Sequence, residues 1–112
     1  MSDSDLIEAL KAIGHPLRLK ILNALRGAER NVGEIEEVTE IGQPALSQQL
    51  AVLRKADLVE TRKDAKLVYY RLSENQLNTI ADVIDDLANR TRQSSPARRP
   101  AVPGAANFAR MS

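Results

Sequence analysis

The stretch Gly42-Gln43-Pro44-Ala45-Leu46-Ser47-Gln48-Gln49-Leu50-Ala51-Val52-Leu53-Arg54 decides the fold. Leu46, Leu50 and Leu53 recur at i, i+4 and i+7, which places them on one side of a helix and defines its buried face. Gln43, Pro44, Ser47, Gln48 and Ala51 then share the opposite side, an exposed stripe of small or amide-bearing groups without charge. Immediately downstream, Asp57 to Leu72 alternates like two short strands around a charged turn. A helix followed at once by a hairpin is the winged-helix arrangement.

Upstream, Asn31 with Glu34 three residues later has the spacing of a capping box, which opens a short third helix. Val32, Ile35 and Val38 are expected to face inward and the glutamates outward. Ile41 and Gly42 make the turn, so the third and fourth helices form a helix-turn-helix. Pro16 suits the first position of a second helix whose stripe is Leu17, Ile21, Leu22 and Leu25, ending near Gly27. Ser4 is expected to cap a first helix reaching Ile13, with Leu6, Leu10 and Ile13 on one face.

Downstream, the strands are expected at Leu58 to Arg62 and Leu67 to Leu72, with Val68, Tyr70 and Leu72 on one face. Lys63-Asp64-Ala65-Lys66 forms the tip. Ser73 and Gln76 repeat the capping-box spacing before Leu77, Ile80, Ala81, Ile84, Leu87 and Ala88, an amphipathic period lasting to about Thr91. That last stripe needs a partner. A symmetric homodimer through the first and last helices supplies one, with Leu6, Leu10, Leu77, Ile80, Ile84 and Leu87 at the interface. The expected fold is mainly α with a small β-hairpin, a winged helix-turn-helix over residues 1–91. Residues 92–112, with Arg92, Arg98, Arg99 and Arg110 and no acid, are expected to be a disordered basic tail.

The 112 residues suit one small domain, and 43% hydrophobic content supplies a core that is lean in aromatics. The absence of cysteine excludes disulfides, thiolate metal sites and thiol redox sensing. No apolar run approaches the roughly 20 residues of a membrane span, and the acidic start Ser2-Asp3-Ser4-Asp5 does not read as a secretory signal, so a cytoplasmic protein is expected. With one histidine and no phosphate-cradling glycine loop or evident carboxylate cleft, no catalytic constellation assembles, and no cofactor is expected.

The net charge of +1 hides an uneven distribution. Residues 29–40 hold five glutamates against Arg30 alone, whereas residues 43–71 hold six basic residues against Asp57, Glu60 and Asp64. A basic strip on a nearly neutral chain suits contact with DNA phosphates.

A fourth helix of about 13 residues is about 20 Å long and fits a major groove about 12 Å wide. Gln43, Ser47 and Gln48 are the candidate base contacts, because amides and hydroxyls both donate and accept; either glutamine can pair with adenine. Arg54, Arg62, Lys63 and Lys66 are the candidate backbone contacts, Arg62 and Lys66 ahead of Lys63. Arg54 has an equal alternative as a bridge to the acidic third helix. His15, before Pro16, reads as a capping or packing residue, and Asp82, Asp85 and Asp86 as a solvated face with no metal. The resulting expectation is a sequence-specific double-stranded DNA-binding regulator, a repressor on an inverted-repeat operator. The alternative is a winged-helix module that binds another protein without reading DNA.

The order of elements from Leu6 to Ala88 resembles the ArsR/SmtB family of small dimeric bacterial winged-helix repressors. The resemblance rests on Gly14-His15-Pro16-Leu17-Arg18-Leu19-Lys20-Ile21-Leu22, on Gln43 to Leu50 with Leu53-Arg54, and on Leu58-Val59 through Arg62 to Tyr69-Tyr70-Arg71-Leu72. The reading helix and wing look closest to the branch that answers reactive sulfur or peroxide through cysteines, or to its ligand-free relatives. The family's sensor residues do not carry over. Val32, Gly33 and Glu34 stand where metal-binding thiolates would lie, only carboxylates occupy the last helix, and Asn23 lies near the position of a sulfur-responsive thiol. The resemblance therefore implies an operator and a dimer but leaves the inducer unknown. Asp57 and Ala65 stand where glycines are usual; Asp tolerates a left-handed cap, while Ala is expected to force a different turn at the wing.

Overall fold

Leu46, Leu50 and Leu53 are at most 2% exposed and sit at the centre of a core completed by Ile21, Leu25, Ile35, Ile41 and Leu58. The computed structural model describes residues 1–93, with side chains through Asn89. The chain divides into two compact units, Met1–Ile80 and a second starting at Ala81. Every element through the hairpin belongs to the first, and the last helix begins in it.

Helix α1 (Asp3–Ile13) starts two residues earlier than expected: Ser2, not Ser4, is its cap, accepting from the Asp5 N–H at 3.1 Å. Asp3 and Asp5 then fall in the first turn, where the helix dipole favours negative charge. Its buried residues are Ala9 and Ala12, which lack bulk and so allow close approach. Leu6 and Ile13 flank the core, whereas Leu10 is 41% exposed.

Helix α2 (Pro16–Ala24) has Pro16 at its first position and is capped by His15, whose Nδ1 accepts from the Leu17 N–H at 3.2 Å. Its Ile21 and Leu22 are buried, followed by Leu25 at the C-cap.

Strand β1 (Arg30–Asn31) leads into helix α3 (Val32–Thr39), where both halves of the Asn31/Glu34 capping box form at 2.9 Å. Val38 does not face inward: it is 50% exposed, and Thr39 takes the buried position beside Ile35. The hydroxyl of Thr39 enters the core because it is satisfied there, donating to the Ile35 carbonyl at 2.7 Å and accepting from the Ile41 N–H at 3.2 Å. Glu40 then turns the chain at φ 60°. Helix α4 (Ala45–Lys55) follows, 11 residues and about 16 Å long, shorter than expected because Pro44 is its cap residue and the helix starts only at Ala45.

Strands β2 (Val59–Asp64) and β3 (Leu67–Leu72) pair antiparallel from Val59↔Leu72 to Asp64↔Leu67. The hairpin thus runs further than expected, through Lys63 and Asp64, leaving Ala65 and Lys66 alone in the turn. Ala65 adopts φ 57°, so the expectation that alanine would avoid a left-handed conformation was wrong. The paired strands set the geometry, and the side chain follows it. Asp57 adopts φ 60° after α4, the cap its short polar side chain tolerates. The sheet has a third strand that periodicity did not reveal: β1 pairs with β3 (Arg30↔Tyr70, Asn31↔Tyr69), giving the order β1-β3-β2. Two residues are too few to alternate visibly.

Helix α5 (Glu74–Gln93) begins where expected. Only half of its capping box forms: Ser73 Oγ accepts from the Gln76 N–H at 3.4 Å, but the Gln76 amide donates to the Ala56 carbonyl at 3.1 Å instead of folding back. Arg92 and Gln93, assigned to the tail from sequence, are helical; residues 94–112 of that tail lie outside the described residues.

Left-handed alanine costs about 1–2 kcal/mol, whereas glycine adds about 0.5–1 kcal/mol of unfolded-state entropy. Ala65→Gly is therefore expected to stabilise the protein by about 0.5–1 kcal/mol, measured by urea denaturation; a loss of stability would contradict the assigned turn.

Candidate nucleic-acid interface

With its leucines turned inward, α4 presents Gln43, Pro44, Ser47, Gln48 and Ala51 to solvent, all of them exposed. Gln43 and Ser47 are joined. The Gln43 carbonyl oxygen accepts from the Ser47 N–H at 3.1 Å and from the Ser47 hydroxyl at 2.7 Å. Gln43 thereby serves one of the orphan N–H groups of α4, a helix whose cap residue, Pro44, makes no side-chain cap bond.

The attitude of α4 is held at three places. Ahead of its start, the Thr39 hydroxyl ties the last turn of α3 to Ile41 in the connecting turn. At its end, the Leu58 N–H donates to the Leu53 carbonyl at 3.0 Å while Gln76 holds the Ala56 carbonyl. Along its flank, Arg18 of α2 donates to the Gln49 side-chain oxygen at 2.8 Å and to the Ala12 carbonyl at 2.7 Å, tying α4 to the end of α1. Sequence reading missed Arg18, because a partner 31 residues away leaves no local pattern. It also gave Gln49 no role.

The wing differs in detail from expectation. Arg62 is pinned: its guanidinium grips Glu29, with Nη2 at 2.7 Å from Oε1 and Nε at 3.2 Å from both carboxylate oxygens. It also lies 3.6 Å from Asp64 and 4.8 Å over the Tyr69 ring. The hydrogen bond from Arg62 lowers the Glu29 pKa and raises that of the guanidinium. With the Glu29 carboxyl lowered, the contribution of the pair is present above the ordinary carboxylate value and is lost as pH falls through the lowered Glu29 value. Placing Arg62 with Lys66 ahead of Lys63 did not anticipate this competitor. Lys63 and Lys66 are exposed at the tip and, like Arg54, form no ion pair among the described residues; Arg54 therefore makes no bridge to the acidic α3. Arg71 pairs with Glu60 across the strands at 3.0 Å.

Of the residues assigned to a dimer interface, Ile80 is 4% exposed in the chain's own core and Leu6 and Leu77 pack against that core. Leu10, Ile84 and Leu87 are 41%, 51% and 64% exposed. A groove of about 690 Å³ opens between α1, the end of α4 and the start of α5, away from the reading face, with Asp5, Lys11, Lys55 and Asp57 among its lining. Among the described residues no cluster of three or more His, Asp or Glu could hold a metal, and no helix is long and apolar enough to cross a membrane.

A helix-turn-helix whose second helix offers an uncharged polar face, beside a hairpin with a basic tip, is a winged-helix DNA-binding domain in architecture. A family model described as bacterial regulatory protein, arsR family, matches residues 15–61. The biofilm growth-associated repressor of Xylella fastidiosa is 46% identical over 71 residues, which cover 63% of this chain and 62% of that protein. The transcriptional activator HlyU of Vibrio cholerae is 42% identical over 78 residues, 70% of this chain and 72% of that protein. The crystal structure of the transcriptional repressor BigR from Xylella fastidiosa superposes with a TM-score of 0.61 at 40% identity, covering 78% of this chain and 86% of that one. The chain belongs to the arsR family of bacterial regulatory proteins.

Thr39→Val removes the acceptor of the buried Ile41 N–H while preserving shape. It is expected to cost about 1–3 kcal/mol in chemical denaturation, whereas a value near zero would mean that water replaces the hydroxyl in the turn.

Proposed function

We propose that the chain is a sequence-specific DNA-binding transcriptional repressor acting as a homodimer on an inverted-repeat operator in the cytoplasm. The observation that carries this reading is the leucine seam of α4, which leaves Gln43, Ser47 and Gln48 exposed together. In the proposed complex those side chains meet base edges in the major groove, while Lys63, Lys66 and Arg54 meet phosphates. Arg62 has Nε and Nη2 committed to Glu29 and meets a phosphate in this reading through Nη1 alone, which leaves Lys63 and Lys66 as the unencumbered wing contacts. Family membership supports the regulatory reading, and the names of relatives include both repressors and an activator. Residues 1–91 carry binding and pairing in this reading.

Pairing is proposed through α1 and α5. Ile7 and Leu10 of α1 are exposed apolar residues, and so is Ile84 of α5. Two copies then place two α4 helices in successive major grooves, about 34–36 Å apart. The chain has no cysteine, so any signal acts through other chemistry.

Titration onto the chain's own promoter region at physiological salt tests the reading: affinity is expected to exceed that for random duplex by at least about 10³-fold, and equal affinity would refute it. Lys66→Ala should weaken all sequences alike and reduce the salt slope by about one, while Gln48→Ala should relax sequence preference at a cost of about 1–3 kcal/mol. Ile84→Asp is expected to shift the protein from dimer to monomer in analytical ultracentrifugation and to lose operator affinity with it; an unchanged dimer would exclude this part of α5 from the interface.

A further inference from the structure

The Gln43–Ser47 contact settles the direction of every proton within it. A backbone N–H can only donate, so the Gln43 atom 3.1 Å from the Ser47 nitrogen is the carbonyl oxygen, and the amide nitrogen points away. The Ser47 hydroxyl lies 2.7 Å from that same oxygen, which has no hydrogen to offer, so the hydroxyl proton lies on this bond. Both lone pairs of the Gln43 oxygen are thereby occupied. What remains for an incoming ligand is two N–H donors on Gln43 and, on Ser47, an oxygen that only accepts. Gln48 makes no such bond among the described residues and keeps both its donor and its acceptor.

This polarity excludes one mode of reading. A glutamine grips adenine by donating to N7 and accepting from the N6 amino group, and Gln43 has no acceptor left. In the major groove a G·C pair presents N7 and O6 of guanine as acceptors and then N4 of cytosine as a donor, whereas an A·T pair presents acceptor, donor, acceptor. Donors on Gln43 beside an acceptor on Ser47 complement the first row. Against the second, only one Gln43 N–H finds an acceptor, at adenine N7, while Ser47 accepts from the adenine amino group, so the second Gln43 donor is left without the O6 acceptor that guanine supplies.

Resting on the DNA-reading function above, we propose that Gln43 and Ser47 form one prewired unit that favours a G·C pair, Gln43 donating to both guanine acceptors and Ser47 accepting from the cytosine amino group. The wiring resists rearrangement because Pro44 gives α4 no side-chain cap bond. Turning the Gln43 amide over would place its N–H groups against the Ser47 N–H and strip a helix N–H of its partner. Gln48 is then the adenine reader of the pair of glutamines.

The experiment is selection of bound sequences from a random duplex library by the full chain, repeated with Gln43→Ala and Gln43→Glu. Gln43→Glu keeps an oxygen for both Ser47 donors, and so keeps the cap, but has no donor for guanine. One position per half-site is expected to be G·C with the wild type and to lose its discrimination by about tenfold in both variants. Replacing that guanine by 7-deazaguanine should weaken the wild type and leave Gln43→Glu unchanged. The proposal is overturned if the position that loses preference is A·T, or if Gln43→Glu still selects G·C there. Failure of the wild type to enrich any sequence is a distinct result, and it removes the DNA-reading function and this proposal together.

Discussion

Burial of one face of α4 is the constraint on which the rest of this structure depends. Leu46 and Leu53 are fully buried and Leu50 is 2% exposed, in one core with Ile21 of α2, Leu25 at its C-cap and Ile35 of α3. A helix that buries one stripe has no freedom in what it shows on the other. Burying a leucine contributes on the order of 1.5–3 kcal/mol, so rotating α4 to hide its glutamines would forfeit three such contributions and leave amides unsatisfied in the core. The polar face is exposed as a consequence of packing.

Polar contacts around that core set the angle of α4 more than its existence. Arg18 and Gln76 join α4 or its end to a different element and Thr39 fixes the turn that leads into it, through bonds of 2.7 to 3.2 Å. Each bond uses a backbone carbonyl or amide at a helix end, or an α4 side chain on the flank, so the reading face is untouched. The wing shows the same economy of commitment. Arg62 is held by Glu29, Asp64 and Tyr69, which stiffens the hairpin, while Lys63 and Lys66 extend from its end without ion partners among the described residues.

Much of this was legible in the sequence, for identifiable reasons. Leucines at 46, 50 and 53 have no alternative to a shared face, and the Asn31/Glu34 box is a local device whose spacing suffices to recognise it. The failures are equally specific. Val38 has the right period for burial, but Thr39 can satisfy its own hydroxyl and takes the buried place. Ala65 was expected to avoid the left-handed region by its own preference, yet the register between Asp64 and Leu67 overrides a cost of about 1–2 kcal/mol. Strand β1 is two residues long and exists only because β3 offers an edge beside it.

The sequence by itself determined the helices, the hairpin and the polarity of the reading face, because periodicity and capping act between residues a few positions apart. Tertiary structure alone decided which of the polar groups are still available. Arg62 has committed Nε and Nη2 to Glu29, 33 residues away, and Arg18 its guanidinium to α1 and to Gln49, 31 residues away, whereas the Gln43–Ser47 bond is a local one between residues four apart. A residue type states what a side chain can donate or accept; only its folded neighbours determine what is left to give.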